Sequence, residues 1–300
     1  MENIDPAVVD QLDQDIAEEF YVALGIEKHA VLRRAFHPFI RKPTHRFAEL
    51  VASYDQQLAA DGFPATAGAL LKRFVQDVSA LNVDCIPAEG PVILASNHPG
   101  SFDSLSIVSQ LPRDDFKVIV SGVPFLMNIP NAREYFIYAS EDTHLRMAAA
   151  RSSLRHLQSG GCVLIFATGL VDPDPAFMPG AEQALDHWSA SLGLLLQRVP
   201  GTCLVPVIAS GVLEPSYYNH PLARLQRGQF GRQKLAEFLM VSQMLRKSIS
   251  FQVSPRVSFG PPFSPAALPS PATPAELMLE IRHRAHQLFQ QHMAHWYPAY

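Results

Sequence analysis

The sequence predicts an α/β fold: a mostly parallel central sheet flanked by helices, with an N-terminal helical subdomain. Three observations predict it. From about Val83 onward, short apolar runs alternate with stretches of helical period, the pattern of buried parallel strands separated by helices. Ahead of that point apolar residues recur at four-residue spacing, as on one helix face. With 300 residues, 48% of them hydrophobic, the chain can bury one large core, or one large and one small. The expected division is 1–82 for the helical subdomain and 83–300 for the α/β domain.

In chain order, Val8, Leu12, Ile16, Phe20 and Leu24 line one helix face, and Phe47 to Leu58 and Thr66 to Leu81 have similar periodicity. Pro38 and Pro43 are expected to break the pattern between the first helices, and Asp61-Gly62-Phe63-Pro64 to form a turn. Pro91 to Ser96 reads as a buried strand. Asp103 to Gln110 reads as a helix with Ser101 as N-cap and Asp103 in its first turn. Phe116–Ser121, Tyr135–Tyr138, Cys162–Phe166, Cys203–Ala209 and Val257–Phe259 are the further strands. Helices are expected over Leu145–Leu157, closed by Gly160-Gly161, and over Glu182–Gln197. A last one runs over Ala275–Met293, after a proline-rich stretch from Pro261 to Pro274.

Composition narrows the function. Charged residues make up 17% and net charge is −4, so nothing in the bulk charge asks for a nucleic-acid partner. Cys85, Cys162 and Cys203 are odd in number and scattered without metal-ligand spacing. They read as buried apolar residues in a reducing compartment, with no metal site. Met1 to Phe20 is acidic, unlike a signal peptide. The longest apolar run, near Val163–Val171, falls well short of the roughly 20 residues that span a bilayer. If the protein works on lipids, it reaches them from the surface. There is no Gly-x-Ser-x-Gly nucleophile elbow, no P-loop and no Gly-x-Gly-x-x-Gly.

The informative stretch is Ser96-Asn-His-Pro-Gly-Ser-Phe-Asp103. In parallel sheets ligands sit outside the carboxyl ends of the strands, which directs attention to the loops after Ser96, Phe166 and Val207. His98 follows a strand, and a Pro-Gly turn can fold Asp103 back toward its ring. Imidazole titrates near pH 6.5 when unperturbed, so it can take a proton from a hydroxyl and return it near neutrality. A carboxylate on the other ring nitrogen fixes the tautomer and stabilises the imidazolium. With 12 histidines in the chain, chance often supplies one His-x-x-x-x-Asp pair. The meaning lies in the context: strand before, Asn97 beside, Pro-Gly within, helix after.

Asn97-His98 with Asp103 resembles the signature of the glycerolipid acyltransferases, the glycerol-3-phosphate and lysophosphatidic acid acyltransferase superfamily. The resemblance runs from about Val83 to Phe263. Val163-Leu-Ile-Phe-Ala-Thr-Gly169 stands where that family has its third block, Leu204-Val-Pro-Val207 resembles its fourth, and Phe259-Gly-Pro-Pro262 its closing strand and turn. The resemblance implies acyl transfer from acyl-CoA or acyl-carrier protein to a hydroxyl of a glycerol-phosphate or lysophospholipid-type acceptor, without metal, cofactor or covalent acyl-enzyme. It implies His98 as general base with Asp103, and substrate binding by Asn97, Ser101, Thr168, Gly169 and Pro206. Ala167 and Thr168 replace the family's proline and glutamate, and no arginine follows Tyr135–Tyr138. Arg133, Arg146 and Arg151 are the candidates to grip an acceptor phosphate, with Arg146 preferred. A non-catalytic lipid-binding relative is the alternative.

Asp172 and Asp174 read as solvated carboxylates of a proline-rich turn, or as an acceptor-binding pair. From Lys28 to Arg46 six basic residues interleave with apolar ones, and Phe36-His-Pro-Phe-Ile40 resembles a wedge. This stretch is either a solvated face or a contact for lipid headgroups or an acidic carrier. A weaker basic stretch, Pro215 to Ala236, holds Arg224, Arg227, Arg232 and Lys234. His283, His286 and His292 read as a surface helix face. The expected location is cytoplasmic, peripheral on the inner face of a membrane.

Overall fold

The computed structural model describes residues 5–121, 124–140, 142–226, 228–247, 253–268 and 272–298. Three helices come first: α1 (Pro6–Leu24), α2 (Ala30–Asp61) and α3 (Phe63–Leu71). Next come β1 (Ser79–Leu81), β2 (Val92–Ser96), α4 (Asp103–Val108), β3 (Phe116–Ser121), α5 (Pro124–Met127) and β4 (Phe136–Ala139). They are followed by α6 (Thr143–Gln158), β5 (Cys162–Phe166), α7 (Ala181–Ala184), α8 (Ser191–Arg198) and β6 (Cys203–Ser210). The chain continues through α9 (Pro215–Tyr218), α10 (Pro221–Arg224), α11 (Gln229–Lys247), β7 (Arg256–Phe259) and α12 (Pro274–Trp296).

The chain divides into two compact units. The first joins Met1–Gln76 to Gly122–Glu134 and Leu213–Val253; the second holds Asp77–Ser121, Tyr135–Val212 and Ser254–Tyr300. A single cut between 82 and 83 misses this, because the helical unit draws in two later segments. Buried Asp55 in α2 accepts hydrogen bonds from the backbone N–H groups of Asn131 and Ala132 (3.0 and 2.8 Å). Helix α11 packs on α1 and α2. Local periodicity carries no trace of such remote pairing.

Within the helical unit, α1 starts where Asp5 accepts from the Ala7 N–H at 2.9 Å and ends at Gly25, whose φ of 69° suits glycine. Its buried face includes Val9, Leu12, Ile16 and Phe20. The expected break at Pro38 and Pro43 does not occur: both lie inside the continuous helix α2. Each proline removes one N–H from the ladder, yet Ile40, Pro43, Thr44 and Ala48 stay buried through the interruption. Packing of that face outweighs the local penalty. The expected helix over Thr66–Leu81 stops at Leu71, and Ser79–Leu81 forms β1 because it pairs with β7. The basic stretch from Pro215 includes α9, α10 and the first part of α11. Arg232 lies over the Tyr218 ring at 3.9 Å and Lys234 sits 3.6 Å from Glu19; Arg227 lies outside the described residues.

The second unit is built on a seven-stranded sheet in the order β1-β7-β6-β2-β5-β3-β4. All neighbouring pairs are parallel except β6 with β7, so the α/β, mostly parallel architecture read from the sequence is the one observed. Strand β2, buried along its whole length, lies between β5 and β6. Helices α8 and α12 pack Leu192, Leu196, Ile281, Ala285 and Leu288 into one core with Ile93, Val163 and Leu204. The expected helix over Glu182–Gln197 is interrupted at Trp188–Ala190. There Trp188 is buried and the Ser189 N–H donates to the Ala167 carbonyl at 2.8 Å, which fastens the break to the loop after β5.

Pro206 lies in the interior of β6. Leu204 pairs with Phe263, and the Gly260 N–H donates to the Pro206 carbonyl at 2.9 Å. Two residues of β6 therefore face three of the partner strand, a bulge that accommodates a residue lacking an N–H. A Cβ on Gly260 would meet Pro206 Cγ at 2.7 Å. Gly260→Ala is expected to destabilise the protein by about 1–3 kcal/mol through overpacking, checked by thermal or urea unfolding.

Candidate active site

The end of β2 delivers His98 to the carboxyl edge of the sheet. Pro99 and Gly100 then turn the chain, with Gly100 at φ 152°, a conformation open to glycine. The turn brings Asp103, the first residue of α4, back to the histidine. His98 Nδ1 donates to Asp103 Oδ2 at 2.7 Å, and the same oxygen accepts from the Gly100 N–H at 3.0 Å. The other oxygen accepts from the Ser104 N–H. Asp103 is wholly buried, while the His98 side chain is 29% exposed and stacks on Phe166 with ring centroids 4.2 Å apart. A carboxylate on Nδ1 holds the proton there and leaves the lone pair on Nε2. The cap of α4 falls at Phe102 with no side-chain cap bond, so Ser101 is not the N-cap expected. It is an exposed residue of the turn.

The loops after β2, β5 and β6 meet at this edge. Asn97 is buried; its Nδ2 donates to the Ala209 carbonyl at 2.9 Å and its Oδ1 accepts from the Ala209 N–H at 2.8 Å. That clasp ties the end of β2 to β6. The Ala167 N–H donates to the Ser96 carbonyl at 2.8 Å, tying β5 to β2. Thr168 Oγ1 donates to the Leu170 carbonyl at 3.0 Å within a turn whose exposed Gly169 has φ 72°.

Asp172 and Asp174 are not the solvated carboxylates of a surface turn: both are buried. The His98 N–H donates to Asp172 Oδ2 at 2.9 Å, and the Asp172 N–H donates to the His98 carbonyl at 2.7 Å. Burial pushes the Asp172 carboxyl above its ordinary range, opposed by the His98 N–H bond and by a hydrogen bond with Thr168. Asp174 Oδ1 accepts from the Gly211 N–H (2.8 Å) and the Ala176 N–H (2.9 Å), and Oδ2 from the Val212 N–H (2.9 Å). The spacing Asp-Pro-Asp was visible in the sequence, but its reach to two neighbouring strands was not.

Arg146 is exposed in the first turn of α6, just beyond β4 and on the same edge of the sheet as His98. Arg151 is exposed further along α6, while Arg133 belongs to the helical unit. Pro206 lies inside β6, level with Ala95. Cys85, Cys162 and Cys203 are free, and burial pushes the Cys162 thiol up to about 12. A thiol so placed stays protonated and unreactive.

Helix α12 does not present a wholly exposed histidine face. His292 is buried between β6 and β7, its Nε2 2.7 Å from Ser210 Oγ and its Nδ1 2.8 Å from Ser258 Oγ. Tyr297 Oη lies 3.0 Å from the same Ser210 oxygen. Burial holds the His292 imidazole down to about 3, helped by His295, so it is neutral near pH 7. His286, by contrast, is on the surface, 2.8 Å from Asp186.

Neither a family model nor a curated protein sequence matches the chain. Among solved structures it is similar to the crystal structure of the 1-acyl-sn-glycerophosphate (LPA) acyltransferase PlsC from Thermotoga maritima. The TM-score is 0.45 at 15% identity, covering 96% of this chain and 98% of that one. At this identity the likeness transfers no residue role.

Proposed function

We propose that the chain is an acyltransferase, moving a fatty acyl group from an acyl-CoA or acyl-carrier-protein thioester to a hydroxyl of a glycerol-phosphate or lysophospholipid-type acceptor. The observation that carries this reading is the 2.7 Å contact of His98 with Asp103 at the carboxyl edge of the sheet, one partner buried and the other partly exposed. In this reading Nε2 of His98 takes the acceptor proton while the acceptor oxygen attacks the thioester carbonyl carbon. The C–O bond forms, the C–S bond breaks, and the imidazolium returns its proton to the leaving thiolate. Asp103 steadies the imidazolium charge. The thioester is a co-substrate, and the step calls on no metal or other cofactor.

Ser101, Thr168, Gly169 and Arg146 are the residues proposed to meet the substrates. Asn97 and Pro206 act from behind, holding the strands that carry the loops. The test is transfer of a labelled acyl group from acyl-CoA, and separately from acyl-carrier protein, to lysolipids and glycerol-3-phosphate. Transfer by the wild type that disappears in His98→Ala supports the reading. Stable lipid binding with no turnover by either protein supports the alternative, a non-catalytic lipid-binding relative. That alternative is motivated by Ala167 and Thr168, which stand where the resembled family has proline and glutamate.

The proposed workplace is the inner, cytoplasmic face of a membrane, reached peripherally. Among the described residues no helix is long and apolar enough to cross a bilayer. Support comes from the stretch Lys28 to Arg46, which exposes Val31 (81%), Leu32, Phe36 and Phe39 (66%) together with Lys28, Arg34, Arg41, Lys42 and Arg46. On an ideal helix Leu32, Phe36 and Phe39 share one face, with Lys42 toward one flank and Arg33, ion-paired to Glu18, toward the other, while Arg34 and Arg41 fall on the opposite face. Each cation near an anionic leaflet contributes about 1 kcal/mol. Phe36→Ser with Phe39→Ser is expected to lower co-sedimentation with anionic vesicles about tenfold or more. Binding equal to wild type would remove this face from the account.

A further inference from the structure

We propose that Asp172 is a positioning residue for the His98 base: Asp103 orients the ring, and Asp172 fixes the backbone that carries it. The inference rests on the reading of His98 as the base. The two residues exchange two hydrogen bonds, from His98 N–H to Asp172 Oδ2 (2.9 Å) and from Asp172 N–H to the His98 carbonyl (2.7 Å). Residue 98 sits between the end of β2 and the Pro99-Gly100 turn, beyond the ladder of the sheet, so its own strand bonds do not hold it.

The clamp is itself anchored. Two residues on, Asp174 holds the Gly211 and Val212 N–H groups past the end of β6, and Pro173 between the two carboxylates has a restricted φ. The Asp-Pro-Asp turn thus fastens the loop after β5 to the loops after both β2 and β6. A buried carboxylate is costly unless its hydrogen bonds are made. Burial acts on Asp172 in that sense, and the bond from His98 opposes it. This geometry gives the turn a task other than gripping the acceptor: one oxygen of Asp172 and both of Asp174 take backbone amides just past the strands that frame the site. A base displaced by about 1 Å can lose about 10²-fold in rate, so a backbone clamp on His98 bears directly on turnover.

The test compares Asp172→Ala and Asp172→Asn with wild type by steady-state kinetics and by hydrogen exchange of the His98 amide. The asparagine carbonyl still accepts from the His98 N–H; alanine does not. Asp172→Ala is expected to lower kcat about 10–100-fold with little change in KM, and to speed His98 amide exchange about tenfold or more. Asp172→Asn is expected to restore most of both. Should the alanine variant fail to fold, Asp172→Ser, whose hydroxyl falls short of the His98 N–H, takes its place. Wild-type kcat and exchange in the alanine or serine variant, or equal losses in the asparagine variant, would overturn the proposal. If the wild type transfers no acyl group, the acyltransferase reading fails, while amide exchange still decides whether Asp172 holds His98.

Discussion

Replacing His98 by alanine is expected to lower kcat for acyl transfer by about 10²–10⁴, the usual worth of a general base. That corresponds to roughly 3–5 kcal/mol of barrier. The fold should survive the change, because Asp103 keeps the Gly100 and Ser104 N–H groups as partners. Asp103→Asn should be nearly as damaging for a different reason. An amide presents an N–H2 or a carbonyl to Nδ1, so the imidazole is free to place its proton on Nε2, where it cannot act as a base. The measurement is the initial rate of labelled acyl transfer by each variant, with circular dichroism to check the fold. A His98→Ala enzyme within threefold of wild type would end the general-base assignment.

Acid should unfold the protein partly through His292. In the folded state this imidazole is held down to about 3 by burial; in the unfolded chain it titrates near 6.5. Below pH 6.5 the unfolded state binds a proton that the folded state refuses. Stability is therefore present in full above about pH 6.5 and is lost progressively as pH falls toward 3. The full difference is roughly 5 kcal/mol, a large share of the 5–15 kcal/mol typical of a domain. His292→Gln keeps polar ends for the Ser210 and Ser258 hydroxyls but cannot take up the proton. It should lower stability at pH 7 by about 1–3 kcal/mol and flatten the decline between pH 6.5 and 3. The check is urea unfolding of both proteins across that range; parallel pH profiles would rule His292 out as the acid trigger.

Much of the second unit was legible in the sequence. Runs such as Cys162–Phe166 and Cys203–Ala209 are apolar on both faces because central parallel strands are covered on both sides. The His98–Asp103 pairing was also legible, since only four residues and a Pro-Gly turn separate the two. The failures were of another kind. Proline rules placed a break in α2 that packing of Ile40, Pro43 and Ala48 overrides. Helical period ran on through Ser79–Leu81, which becomes a strand because β7 lies beside it. The Asp172 and Asp174 carboxylates looked solvated because prolines and acids usually mark surface turns.

By itself the sequence determined the α/β alternation, the mostly parallel sheet and the position of the candidate base at a strand's carboxyl end. Each follows from side-chain pattern over a few consecutive residues. The tertiary structure alone decided which segments share the helical unit, that Asp172 grips the backbone of His98, and that His292 is sealed between Ser210 and Ser258. These depend on hydrogen bonds and burial between residues tens of positions apart. Local propensity does not encode such contacts; they exist only once the strands and helices have packed.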